Sequence, residues 1–314
     1  MLIAIKNKDL TTVEYLVTQG VNVTAQDNSA VIWASENGHL TTVKYLVTQG
    51  ADVTAQYNSA VVLASEYGHL TTVEYLVTQG ADVTARNNDA VVLASEYGHL
   101  TTVEYLVTQG VNVTAQDNSA VVLASYGGHL TTVQYLVNQG ADVTAQNNMA
   151  VVWASMSGHL TTVQYLVSQG ADVTAQDNEA VVWTSIYGHL ATVQYLVSQG
   201  ADVTARDNLT VRHASGNHID PVQYLVIQGT DVTTRDTQAV RWATVQYLVS
   251  QGADVARIEP TMWKNMCATR IQQFYKRQRT RRKLWRVMKE VIPLYYHPQA
   301  KGGYFARKAL LECF

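Results

Sequence analysis

Apolar and polar positions alternate along this chain in one pattern that returns again and again: Gly-His-Leu-x-x-Val-x-Tyr-Leu-Val-x-Gln-Gly, followed by Ala/Val-Asp/Asn-Val-Thr-Ala. The closing glycines Gly20, Gly50, Gly80, Gly110, Gly140, Gly170 and Gly200 hold a period of 30 residues; Gly229 arrives one residue early and Gly252 only 23 residues later. In the unit 51–80, the small apolar run Ala60 to Ser65 predicts a short helix stopped at Gly68. A second helix is predicted from about His69 to Gln79, because Leu70, Val73, Leu76 and Val77 fall on one helical stripe. The segment Ala81 to Arg86 reads as extended, and Asn88 as the N-cap of the next helix.

One such unit cannot bury enough apolar surface to offset the entropy of ordering its backbone, so neighbouring units must stack and share their faces. A period of this length predicts an all-α solenoid of helix-turn-helix units. At the N-terminal end Lys6, Asn7 and Lys8 replace the small apolar residues of a first helix, as a polar cap over the open core requires. Near the other end Ala239 to Val249 joins the two helices directly, with seven residues missing, about two helical turns. A degenerate closing repeat is expected there.

The half-unit Gly68-His-Leu-Thr-Thr-Val-Glu-Tyr-Leu-Val-Thr-Gln-Gly-Ala-Asp-Val-Thr-Ala85 resembles the second helix and following loop of the ankyrin repeat. The resemblance spans residues 1–256: a half-repeat cap over 1–20, regular units over 21–200 and shortened units over 201–252. The Thr-Pro-Leu-His start of the usual first helix is absent, and Ala60-Val61 and its equivalents stand in its place. Each unit is also shorter than the roughly 33 residues of the usual repeat. The missing residues fall at the tight turn of the β-hairpin, so the resemblance implies an ankyrin-type solenoid with blunted or absent hairpin fingers. The shortened form is similar to ankyrin proteins of giant DNA viruses that infect amoebae, which would make the chain a viral protein acting on host proteins.

Composition changes the picture in two ways. With 47% hydrophobic and 15% charged residues the chain folds rather than staying disordered. Its two cysteines, Cys267 and Cys313, cannot frame a disulfide scaffold, which suits a reducing, intracellular and cytoplasmic setting, in the host cell if the protein is viral. No apolar run approaches the roughly 20 residues of a membrane span, and Met1 to Leu10 does not read as a secretion signal. The sequons at Asn22 and Asn112 are therefore read as ordinary repeat positions. The net charge of −3 conceals a division. Residues 1–256 carry 8 Lys+Arg against 22 Asp+Glu, a net −14, whereas 257–314 carry 14 against 3, a net +11.

Several recurring residues have plain structural readings. His39, His69, His99, His129, His159 and His189 stand one per helix pair, too far apart on stacked helices about 8–10 Å apart to share a metal; each is expected to hydrogen-bond in its own turn. The tyrosine column from Tyr15 to Tyr247 is assigned to stacking, and the first-helix position Trp33, Leu63, Leu93, Leu123, Trp153, Trp183, His213 and Trp242 to the core. No phosphate loop, nucleophile elbow or zinc pattern is found, so neither an enzyme nor a cofactor or metal is expected.

Positions that differ among near-identical units can discriminate between partners. They cluster before the Gly-His turn, at Glu36, Glu66-Tyr67, Glu96-Tyr97, Tyr126, Met156 and Ile186-Tyr187, joined by Asp89, Met149 and Glu179 at the helix start. Ankyrin-like stacks place these positions on the concave side. The strip would run from acidic to apolar and suit a protein partner with a basic end and a hydrophobic end; drift among the repeats is the alternative.

Between Pro260 and Pro293 a basic amphipathic helix is predicted over about 260–292. Ile271-Gln-Gln-Phe-Tyr-Lys-Arg-Gln-Arg-Thr-Arg281 is similar to the IQ motif, matching at Ile271, Gln272, Lys276 and Arg281, with Arg277 in place of its glycine. The resemblance implies calmodulin or another EF-hand protein as partner. Arg282 and Trp285 extend the basic aromatic face, and three other fates stay open: capping the last repeat, docking on the acidic repeats, or binding nucleic acid or anionic membrane through 276–286.

Overall fold

The computed structural model describes residues 1–205 together with Pro221, Tyr224, Leu225 and Gln228. Met1–Arg206 form one compact unit. Its described residues build fourteen helices and no strand. A short opening pair, α1 (Leu2–Lys6) and α2 (Leu10–Thr18), precedes six full pairs. The first helices are α3 (Ala25–Glu36), α5 (Ala55–Glu66), α7 (Ala85–Glu96), α9 (Ala115–Tyr126), α11 (Ala145–Met156) and α13 (Ala175–Tyr187). The second helices are α4 (Leu40–Thr48), α6 (Leu70–Thr78), α8 (Leu100–Thr108), α10 (Leu130–Asn138), α12 (Leu160–Ser168) and α14 (Leu190–Ser198).

The second helices follow the amphipathic stripe: in α4, Thr42, Val43 and Leu46 are buried, while Thr41, Lys44 and Thr48 face solvent. The first helices lack such a stripe because both flanks and one face are covered. In α3, Ala30, Val31, Ile32, Ala34 and Ser35 are all buried. Ser35 satisfies its hydroxyl by donating to the Val31 carbonyl at 2.7 Å, the back-bond that lets serine serve as a small packing residue. Successive first helices pack along their length, whereas successive second helices touch sparingly, so within this unit the stack bends toward the first-helix side.

Both helices of a pair end in the same way. At Gly38 (φ 66°) the backbone turns left-handed, Gly38 N–H donates to Ser35 and His39 N–H to Ala34; at Gly50 (φ 92°) the equivalent bonds go to Val47 and Leu46. This six-to-one and five-to-two pattern satisfies the orphan carbonyls of the last turn.

The right-handed part of each first helix starts beside the expected Ala60, but its approach departs from the expected extended segment. The helical span opens with a separate turn at Ala55, in which three successive residues are left-handed: Gln56 (φ 50°, ψ 46°), Tyr57 (φ 56°, ψ 48°) and Asn58 (φ 63°, ψ 31°). Every full unit repeats this turn without a glycine. Non-glycine residues in that region cost roughly 1–2 kcal/mol each, so the turn needs support. Asparagine supplies it across units rather than capping its own helix. Asn28 Oδ1 accepts the Asp52 N–H 24 residues on, and Asn58, Asn88, Asn118, Asn148 and Asn178 do the same for Asp82, Asn112, Asp142, Asp172 and Asp202, all at 2.7–2.9 Å. This ladder stands where the hairpin fingers are missing. The residue it holds turns back in its own loop: Asp52 Oδ1 accepts from Thr54 N–H and Oγ at 2.8 and 2.7 Å. Asn22 and Asn112 make the same turn with Thr24 and Thr114, which explains both sequons as Asp equivalents. The threonine bonds hold the Asp142 and Asp202 carboxyls below their ordinary pKa.

Candidate functional site

Residues 29, 33 and 36 of α3 and its C-cap Asn37 sit at helical spacings of four, seven and eight from residue 29, on one edge of the helix. That edge is the one the neighbouring helices leave uncovered. Repeated over α3, α5, α7, α9, α11 and α13, it becomes a strip four residues wide and six helices long on the inner side of the bend.

The row led by Trp33 belongs to this strip and not to the core. Trp33 is 41% exposed, and Leu63, Leu93, Leu123, Trp153 and Trp183 are half-buried. The unbroken apolar run of the first helix concealed this, because a run without periodicity does not say which side faces out. Next to it lie the exposed rings of Tyr67, Tyr97, Tyr126 and Tyr187. Tyr126 meets Trp153 edge-on at 5.7 Å, and Trp183 stacks on Tyr187 at 6.3 Å.

The row led by Glu36 changes character along the stack: Glu36, Glu66 and Glu96, then Tyr126, Met156 and Ile186. All but Tyr126 are half-buried. Burial raises the Glu66 pKa first, and the carboxylates of Glu36 and Glu96 on either side raise it further; among the described residues no cation acts on it in the opposite sense. Glu66 and then Glu36 likewise push the Tyr67 phenol up. Arg86 is spent elsewhere, donating to the Gln56 carbonyl at 2.7 Å and to Ser59 Oγ.

In the row at the helix start, Asp89 is engaged: it accepts from Gln116 Nε2 of the next unit at 2.6 Å. Met149 and Glu179 are half-buried in the same row. Tyr57, which sequence reasoning passed over, is 82% exposed but sits on the left-handed turn, off the strip. A bulky aromatic where the other units carry Asp27, Asn87, Asp117, Asn147 and Asp177, the residue types that tolerate a left-handed backbone, was the available signal.

The histidines tie units together instead of closing their own turns. His69 Nε2 donates to the Glu36 carbonyl at 3.0 Å and His189 Nε2 to that of Met156 at 3.1 Å. Each thereby caps the C-terminal end of the preceding first helix. Burial is the main cause holding His39, His99 and His159 below the usual imidazole pKa, so they are neutral near pH 7. Among the described residues no three His, Cys, Asp or Glu side chains converge as a metal set. Ile271, Gln272, Lys276, Arg277, Arg281, Arg282 and Trp285 lie outside the described residues, as does the expected helix over 260–292.

No described helix is long and apolar enough to cross a membrane. No curated protein matches the sequence closely enough to count as a relative. Among solved structures, the crystal structure of the human ASB11 ankyrin repeat domain superposes with a TM-score of 0.57 at 18% identity, covering 64% of this chain and 98% of that one. At that identity the likeness speaks for the fold. The family model for ankyrin repeats in three copies matches over residues 1–87, 61–147, 91–177 and 152–236. With the paired helices, the glycine stops and the stacked units all following its pattern, the chain belongs to the ankyrin-repeat family.

Proposed function

We propose that this protein is a non-enzymatic scaffold that binds a protein partner on the first-helix strip. Ankyrin repeats are protein-interaction modules in general, and the observation that carries the reading for this chain is the exposed aromatic strip. Trp33, Tyr67, Tyr97, Tyr126 and Tyr187 are 41–52% exposed on one face of an otherwise uniform scaffold. Large aromatic side chains left in water at the centre of a concave face are the usual anchors of protein interfaces. The acidic row beside them adds selectivity against acidic partners. An effector role toward host proteins rests on the short-repeat resemblance alone.

The test replaces Tyr67, Tyr97, Ile186 and Tyr187 by alanine in the full chain and compares proteins retained from lysate by mass spectrometry. The reading requires a partner that the wild type retains and the variant loses, with closely similar melting curves. Retention unaffected by the four substitutions removes the strip from the account.

A second reading is favoured by the charge division between 1–256 and 257–314: the basic segment 276–286 tethers the repeats to a calmodulin-like protein, nucleic acid or anionic membrane. Plain charge attraction predicts retention that falls steeply between about 50 and 200 mM salt; an EF-hand partner predicts a response to calcium chelation instead.

A further inference from the structure

Each unit of the strip offers an aromatic hydrogen-bond donor beside its apolar surface, at one of three neighbouring repeat positions: Trp33, Tyr67, Tyr97, Tyr126, Trp153 and then Trp183 or Tyr187 present an indole N–H or a phenol O–H. An α-helix has no use for such a row, because its carbonyls are already bonded internally. A polyproline-type segment has free carbonyls along its whole length. Its dimensions also fit: it returns to the same face every three residues after about 9.3 Å, and stacked helices lie about 8–10 Å apart. One turn of the segment therefore advances one repeat.

The Glu36 row then decides the side chains. Six helices leave five gaps between neighbours. The first two gaps, Glu36 to Glu66 and Glu66 to Glu96, are flanked by carboxylates on both sides, with Tyr67 and Tyr97 beside them. Stacked carboxylates that raise the pKa of the middle one gain by receiving a cation, and a tyrosine face adds a cation–π contact. The last two gaps, Tyr126 to Met156 and Met156 to Ile186, are apolar. Charge complementarity along one axis thus fixes the order of the ligand's residues as well as their kind.

Resting on the reading that the strip is the binding face, we propose that its partner presents an extended, polyproline-type segment with Arg or Lys at two positions three residues apart, and apolar side chains nine and twelve residues from the first. The cations sit between Glu36, Glu66 and Glu96, and the apolar side chains between Tyr126, Met156 and Ile186.

Fluorescence anisotropy on the full chain tests this with labelled proline-rich peptides of 15 residues. One carries Arg at positions 1 and 4 and Leu at 10 and 13, and a second carries the reverse order, so that both chain directions are sampled. The proposal requires one of them to bind at least about 10-fold more tightly than a peptide of the same composition with its arginines adjacent and its leucines adjacent. Glu66→Arg must weaken that peptide about 10-fold or more, and a peptide with Glu in place of Arg must recover binding to the variant. Equal affinity for the shuffled peptide, tighter binding of a helical peptide with Arg seven residues apart, or no binding at all overturns it. Absence of peptide binding while the alanine quartet still releases a captured partner would sink this inference alone; if the quartet has no effect either, the strip itself is wrong.

Discussion

Gly38 and Gly50 end consecutive helices with the same left-handed geometry, yet alanine is predicted to cost much more at the first. Any L-residue at φ 66° or 92° pays the left-handed penalty of roughly 1–2 kcal/mol. At Gly50 nothing lies within 4 Å of an added Cβ, so the penalty stands alone. At Gly38 the added Cβ would sit 2.5 Å from His69 Nδ1 and 2.7 Å from Cε1 and Cγ, forcing the imidazole off its seat. That breaks the 3.0 Å bond to the Glu36 carbonyl, worth about 0.5–1.5 kcal/mol net. Gly38→Ala is thus predicted to destabilise by roughly 1.5–3.5 kcal/mol and Gly50→Ala by roughly 1–2. Urea unfolding followed by circular dichroism measures both, with local hydrogen exchange at α3 and α4 as a second readout, because repeat arrays can unfold in parts. In a His69→Ala background the excess at Gly38 should vanish, since the ring that Cβ strikes is gone. Equal costs at the two glycines, or an excess that survives loss of His69, would refute the seat of histidine on glycine as the tie between units.

Three further outcomes follow from the same structure. Thr72, Thr102 and Thr132 are fully buried with hydroxyls that have no hydrogen-bond partner among the described residues, so each Thr→Val should raise stability by about 1 kcal/mol in urea titrations, and a loss at all three would show the hydroxyls to be bonded. Tyr57→Gly removes a left-handed bulky residue at an exposed position and should stabilise by roughly 0.5–1 kcal/mol after glycine's own entropic cost, whereas destabilisation would mean that the ring supports the turn. His39, His99 and His159 have folded pKa values below the ordinary value of about 6.5, so on acidification the unfolded chain binds protons first; their contribution is complete above about pH 6.5 and declines below it. The urea midpoint should fall between about pH 7.5 and about pH 5.5, and a midpoint that rises would contradict the sign.

The solenoid was legible because one stripe, Leu70, Val73, Leu76 and Val77, and two glycine stops recur at a fixed interval. The second helices accordingly lie within a residue of expectation. What escaped the sequence were the contacts made between units. His69 reaches Glu36 and Asn58 reaches Asp82, partners 33 and 24 residues distant, and no local pattern names them. The recurrence of histidine and asparagine in every unit marked them as structural without saying to what they bond. The first-helix edge was half legible: the change from Glu36, Glu66 and Glu96 to Tyr126, Met156 and Ile186 stood out against the repeat, while Trp33 and its row were taken for core because the helix carrying them is apolar nearly throughout. The turn at 56–58 was not legible, since three left-handed residues without glycine run against local preference and persist only through the asparagine ladder.

The central claim, that the partner sits on the first-helix strip, is tested most directly by photo-crosslinking from within it. The full chain would carry p-benzoylphenylalanine at Tyr97 on the strip or at Tyr105 on the outer second helix, and each form would be irradiated in lysate. A discrete adduct from position 97 with none from 105, competed away by unlabelled wild type but not by the alanine quartet, is the predicted result. Adducts from 105 alone, or equal adducts from both positions, would contradict it.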